Sequence, residues 1–165
     1  MTASDPGMTI RTDIRPGDLG TIVYQHGVLY AREHGFDETF EPYVAEPLAR
    51  FVLDRDPVRS RLFIAEREGR FLGSIAMVDQ GEGAAQLRWF LVMPESRGLG
   101  VGRRLIDTAM AFCREIGYTR VFLWTVDGLP AARHLYESVG FRLAEATPRR
   151  LWGRDLVEQR FEVTL

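Results

Sequence analysis

The sequence predicts an α/β (α+β) fold, a mixed, mostly antiparallel sheet of about six or seven strands flanked by about four helices. Three observations carry this expectation. Apolar residues recur at three- and four-residue spacing in four separate stretches, the mark of helices with one buried face. Between the second and third of these, three apolar runs are joined by two glycine-containing turns and read as an antiparallel meander. At the end of the chain apolar and charged residues alternate strictly, as in a half-exposed strand.

In chain order, residues 10–15 read as a short strand. Arg15-Pro16-Gly17-Asp18 is a turn into a helix, with Asp18 placed as its N-cap. Ile22, Val23, His26, Leu29 and Tyr30 share one face of that helix, and His34-Gly35-Phe36 ends it. A second helix spans 40–53, with Val44, Leu48, Phe51 and Val52 on one side and the cluster at 54–57 as its stop. Strands over 61–66 and 71–79 are joined by Arg67-Glu68-Gly69-Arg70, and the turn at 80–83 leads into a third strand over 84–93. Val101, Leu105, Ile106, Ala109, Phe112, Cys113 and Ile116 mark a third helix, with Gly117 at its C-terminal stop. A buried strand follows over 119–126. The fourth helix, 131–139, is stopped by Gly140, and Phe141 begins another strand. Last, Val157, Gln159, Phe161, Val163 and Leu165 alternate with Glu158, Arg160, Glu162 and Thr164.

Composition narrows the function classes. The 165 residues suit one domain over 9–165, after a small polar tail over 1–8 expected to be disordered. A net charge of −2 without a basic tail argues against a nucleic-acid partner. The one cysteine, Cys113, cannot close an internal disulfide, and no Cys/His cluster points to a metal. No signal peptide and no apolar run of membrane-spanning length is apparent. The expectation is a cytoplasmic, metal-free monomer or homodimer without a membrane partner.

The stretch PESRGLGVGRRL, 94–105, falls between a strand and a helix. Helix N-termini leave backbone N–H groups unpaired and favour anions, and glycine lets a phosphate approach the backbone. The stretch lacks the lysine of a P-loop, and Arg103 stands where the dinucleotide fingerprint needs its third glycine. What remains is Arg97-x-x-Gly100-x-Gly102, whose plain alternative is a bend with incidental arginines.

Arg97-Gly98-Leu99-Gly100-Val101-Gly102 resembles the R/Q-x-x-G-x-G/A signature of the GNAT acetyltransferase superfamily. Further on, Ala132-Arg133-His134-Leu135-Tyr136-Glu137-Ser138-Val139-Gly140-Phe141 resembles that superfamily's A-x-x-L-Y-x-x-x-G-F motif. More narrowly, RPGDLGTIVYQHGVLYAREHGFDETFE, LWTVDGLPAARHLYESVGFRL and GRDLVEQRFEVTL resemble the acetyltransferase half of proteins fused to a MarR-type regulator.

The resemblance implies an N-acetyltransferase that moves acetyl from acetyl-CoA to a primary amine of a small molecule or protein. Backbone N–H groups over Arg97, Gly98, Leu99, Gly100, Val101, Gly102 and Arg103 would hold the pyrophosphate. The backbone of Phe90, Leu91 and Val92, on a strand splayed from its neighbour, would pair with the pantetheine amides. Tyr136 becomes the proton donor to the leaving thiolate, its alternative being an aromatic that packs helix on sheet. The Val92 N–H is the expected oxyanion donor. Many family members carry a glutamate on the strand equivalent to 86–92, but here the chain reads Gln-Leu-Arg-Trp-Phe. Candidates for the general base therefore move to Glu33, Glu41 and His26, with Glu41 the first choice. The family's common asparagine is replaced by Leu129.

Cys113 lies on the apolar stripe of its helix, which favours direct transfer in a ternary complex over a covalent route. Tyr30, Phe36, Phe40, Trp89, Trp124 and Trp152 are the aromatics available to an acceptor site. Arg88 there either reads a carboxylate or forms a surface salt bridge. The alternative from another class is a non-catalytic acetyl-CoA-binding sensor or regulatory module.

Overall fold

The computed structural model describes residues 7–165. The elements follow in the order β1 (Thr9–Arg11), α1 (Asp18–His34), α2 (Phe40–Asp54), β2 (Arg61–Arg67), β3 (Arg70–Gly81), β4 (Ala84–Val92), a 3₁₀ turn (Pro94–Ser96), α3 (Val101–Ile116), β5 (Arg120–Val126), α4 (Pro130–Ser138), β6 (Arg142–Leu151) and β7 (Arg154–Thr164). The strands form one sheet of seven in the order β1-β2-β3-β4-β5-β7-β6. All neighbours are antiparallel except β4 and β5, which run parallel because α3 carries the chain back between them. The expected fold class is the one observed.

Alternation divides the core between the two faces of the sheet. Phe63, Ala65, Ile75 and Met77 point toward α3 and α4, where Leu105, Ile106, Ala109 and Met110 meet them. Leu62, Ile64, Ala76 and Trp89 point the other way, against Ile22 of α1 and Val44, Leu48 and Phe51 of α2.

Three local expectations need correction. The first strand ends at Arg11 rather than at residue 15. Asp18 is not the N-cap of α1. Gly17 holds that position at φ 93°, while the Asp18 carboxylate accepts two hydrogen bonds from Arg11 at 2.8 and 2.7 Å and one from the Arg15 amide at 2.7 Å. A bidentate charged pair outweighs a cap bond, so the carboxylate turns back toward β1. Of the expected tail, residues 1–6 lie outside the described residues, but Met8 is buried in the core under α3.

Two irregularities shape the middle of the sheet. Ser74 opposes Leu91 while Ala76 opposes Arg88, so β4 carries an extra residue opposite Ile75, a β-bulge. Trp89 takes φ 49° there, and the buried Ser74 hydroxyl donates to its carbonyl at 2.7 Å. Next, β4 and β5 pair only from Ala84–Arg120 to Gln86–Phe122. Past that point they part, leaving an edge of β4 open in the middle of the sheet.

Candidate active site

The glycine turn stands at the mouth of this opening. Gly98 and Gly100 take φ 76° and 78°, and an added Cβ at Gly98 would meet no atom within 4 Å. Backbone conformation, not space, requires glycine here. Gly100 is the N-cap of α3 and offers its first amides no side-chain acceptor, so those N–H groups face outward with the positive end of the helix. Gly102 is different: a Cβ there would lie 3.1 Å from Leu135 Cδ1 and 3.3 Å from Val92 Cγ2. Its lack of a side chain lets α3 seat against α4 and β4.

A cleft of about 460 Å³ runs from this turn along the open edge of β4, between the end of α1 and the start of α4. Phe90, Leu91, Val92, Arg97, Gly98, Gly100, Val101, Gly102 and Arg103 all line it. Leu99 does not; its side chain packs against the core on the α3 side of the sheet. Ser96, which the sequence did not single out, also lines the cleft. The Met93 N–H donates to Leu72 O at 2.8 Å, toward β3. By strand alternation the Val92 N–H therefore points to the other edge, into the cleft. Among the cations, Arg97 is held by Glu33 through two bonds of 2.8 and 2.7 Å. Arg103 donates to Ser138 and pairs with Asp107, and Arg104 turns away to Met8 O. Positive charge at the turn thus comes chiefly from the backbone.

On the α1/α2 face a second cavity, of about 110 Å³, meets the first; Tyr30, Phe90 and Leu129 line both. Tyr136 enters it from α4, its ring 5.9 Å from Phe90 and 6.0 Å from Phe141 between centroids. It packs helix on sheet and at the same time presents its hydroxyl, which has no protein partner. Every buried polar side-chain atom among the described residues has a hydrogen bond, so an unpartnered hydroxyl on a residue 6% exposed is one that the cavity reaches. Burial raises this phenol well above its ordinary value and keeps it protonated.

The three candidate bases separate clearly. Glu33 lies on the larger cleft, and its bond to Arg97 holds its carboxyl below the usual range. Glu41 is exposed on α2, packed over Gly27 of α1, and lines neither cavity. The neighbouring Phe40 takes the buried position, which turns residue 41 outward. Structure therefore overturns the placement of Glu41 at the acceptor. His26 does line the smaller cavity. Its Nδ1–H donates to Ile22 O at 2.7 Å, which leaves Nε2 as a lone-pair acceptor, and burial lowers its pKa to about 4. By the same reasoning as for Tyr136, its unpartnered Nε2 opens to the cavity. Sequence reasoning missed Glu158, the sole carboxylate among the described residues on this cavity, which pairs with Arg149 at 2.8 Å. Its alternation placed it correctly on the less buried face of β7, but nothing local told that this face borders a cavity. Cys113 is buried away from both cavities, and burial pushes its thiol up to about 12.

Comparison with known proteins agrees with this geometry. The family model described as the acetyltransferase (GNAT) family matches residues 29–141, from the end of α1 through α4. The chain belongs to the GNAT acetyltransferase family. It is 34% identical over 118 residues to an uncharacterized N-acetyltransferase of Schizosaccharomyces pombe, covering 70% of this chain and 72% of that one. It is 32% identical over 100 residues to human N-acetyltransferase 8B, covering 58% of this chain but only 44% of the relative. A putative acetyltransferase from Salmonella typhimurium, solved with its cofactor acetyl-CoA, shares the fold at a TM-score of 0.71 and 20% identity, covering 96% of this chain and 94% of that one.

This acetyltransferase uses acetyl-CoA as its acetyl donor and carries out N-acetyl transfer. Its own residues fit that donor: an anion site of backbone amides at the start of α3, then a strand edge with free amide positions, then a phenol at the inner end. No helix among the described residues is long and apolar enough to cross a membrane, and no cluster of three His, Cys, Asp or Glu among them could hold a metal.

Proposed function

We propose that this protein, acting as one acetyltransferase domain over 9–165, transfers acetyl directly to a primary amine within a ternary complex. The donor occupies the larger cleft and the acceptor enters through the smaller cavity. The observation that carries this reading is the meeting of the two cavities at Tyr30, Phe90 and Leu129, with the unpartnered Tyr136 hydroxyl beside that junction. Two sites that meet need no covalent enzyme intermediate, and the buried Cys113 is not available for one.

Acetyl-CoA supplies the acetyl group and a thiolate leaving group. The amides of Arg97 to Arg103 hold its pyrophosphate, and the open edge over Phe90, Leu91 and Val92 aligns its pantetheine arm. The Val92 N–H polarises the acetyl oxygen, where a preorganised donor in a dry site is most effective. Tyr136 protonates the departing sulfur, and the proton that the amine nitrogen loses as the amide forms returns to the Tyr136 phenolate, so the phenol is regenerated. Unprotonated at neutral pH, His26 Nε2 accepts an N–H of the incoming amine and so fixes its lone pair toward the junction. This role replaces the one expected of Glu41.

The likeness to the acetyltransferase half of MarR-type fusions extends the reading, because its three stretches include α1 and the β5–α4 segment, which line both cavities, and β7, which lines the smaller one. A cytoplasmic monomer or homodimer is the form in which we place the activity, consistent with a single unpaired cysteine.

Tyr136→Phe is the test. Turnover is expected to fall about 10²- to 10⁴-fold, with CoA affinity by calorimetry unchanged. Undiminished turnover in the variant would remove Tyr136 from the mechanism. Tight acetyl-CoA binding by the wild type with no transfer to any amine would favour the sensor reading instead.

A further inference from the structure

We propose that Arg88 is the carboxylate-binding residue of the smaller cavity, and that the acceptor is a free α-amino acid with an apolar side chain. This inference rests on the acetyltransfer reading above and names its acceptor class.

The first ground is charge. Arg88 is half-buried on β4, lines the cavity, and lies 4.9 Å over the Trp89 ring. Among the described residues it has no carboxylate within ion-pair distance, unlike Arg11, Arg59, Arg97 or Arg149, so it is not the surface salt bridge that the sequence left open. The surrounding groups do not compensate it. Tyr30, Tyr43 and Tyr136 are phenols whose pKa values burial raises, and His26 is neutral. Glu158, the one carboxylate that the described residues bring to the cavity, is already paired with Arg149. The cavity therefore carries one uncompensated positive charge in surroundings that lower the Arg88 pKa by desolvation. Guanidinium stays protonated even so, and a partly desolvated cation without a partner is costly to keep. A ligand carboxylate, taken up in a two-pronged bond, is the counter-ion that the planar fork fits best.

Position and size supply the rest. Arg88 is two residues before Phe90 on one strand, at most about 7 Å along it across the bulge, and Phe90 is the residue against which Tyr136 packs. A carboxylate at the long Arg88 side chain and an amine at the junction are thus separated by the reach of one small molecule. The volume of about 110 Å³ is well below the roughly 300–1,000 Å³ of sites for larger ligands. The walls are Phe40, Trp89, Trp124 and Trp152, which suit an apolar side chain. A polyamine would instead bring further positive charge up to Arg88.

The test compares free amino acids with their decarboxylated amines as acceptors: tryptophan with tryptamine, phenylalanine with phenethylamine, leucine with isoamylamine, and spermidine as a cationic control. CoA release is followed in the wild type, Arg88→Gln and Arg88→Lys, with acetyl-CoA affinity measured in parallel. The acids are expected to exceed their amines in kcat/KM by about 10- to 100-fold. Arg88→Gln should remove that preference through a raised KM for the acids and keep acetyl-CoA affinity, while Arg88→Lys recovers part of it. Equal use of the amines, a preference that survives in Arg88→Gln, selection of spermidine, or transfer to none of the acids would each overturn the inference. Failure of the wild type to bind acetyl-CoA is a separate result and would sink the acetyltransfer reading beneath it.

Discussion

The guanidinium of Arg97 grips the carboxylate of Glu33 through two parallel hydrogen bonds of 2.8 and 2.7 Å, joining the last turn of α1 to the glycine turn before α3. Residues 64 apart in sequence thereby join the two sides of the larger cleft. The pair also sets a negative charge beside the uncapped amides at the start of α3.

Glu33→Gln removes that charge and should tighten CoA binding about fivefold at low ionic strength, an effect of one partly screened charge. The gain should shrink at high salt. Both are read by titration calorimetry, and weaker binding in the variant would mean that clamping the cleft matters more than the charge. Stability should change by less than about 1 kcal/mol, because the pair is partly exposed.

Gly100→Ala places a Cβ on a residue at φ 78°. The left-handed conformation should cost about 1–2 kcal/mol of stability, seen as a lower Tm. Relief of that strain by a shift of the turn would misalign the amides at the start of α3, so CoA affinity should fall by at least about tenfold. Gly98→Ala is expected to behave alike.

Ser74→Ala leaves the Trp89 carbonyl without its buried donor. An unsatisfied buried acceptor costs about 1–3 kcal/mol, measurable by urea unfolding. The bulge that this bond fixes directs both Arg88 and Phe90 into the smaller cavity. Transfer rate should therefore drop more than CoA affinity.

Stability should depend on pH through His26. Its folded pKa lies near 4 against an ordinary 6.5, so between those values the unfolded chain binds a proton that the native chain refuses. Stability must then fall as pH falls from 6.5 toward 4, by about 3 kcal/mol in all. Denaturant titrations across that window should show the slope in the wild type, and His26→Gln should lose it. An unchanged slope in the variant would assign it to other groups.

The candidate site was legible in unequal parts, and the inequality follows range along the chain. The glycine turn, the helix behind it and Tyr136 are local: a left-handed glycine, an N-terminus and a motif each leave their signal within a few residues. Glu41 went wrong for a tertiary reason. Its helix was correctly read, but only the packing of Phe40 under α2 decides which neighbour turns inward. Glu158 was overlooked because a charged residue on the less buried side of a strand looks the same locally whether it borders solvent or a cavity.

By itself, then, the sequence determined the helices, the meander, the glycine turn before the third helix and the placement of a phenol on the last helix, since these are set by periodicity and backbone freedom over short spans. Tertiary structure alone decided that β4 and β5 part after Gln86 and Phe122, that Glu33 closes on Arg97, and that Arg88 faces a cavity without a counter-ion. Each of these depends on which distant strand or helix lies alongside, and pairing of that kind is settled by the packing of the whole sheet and not by the residues next in line.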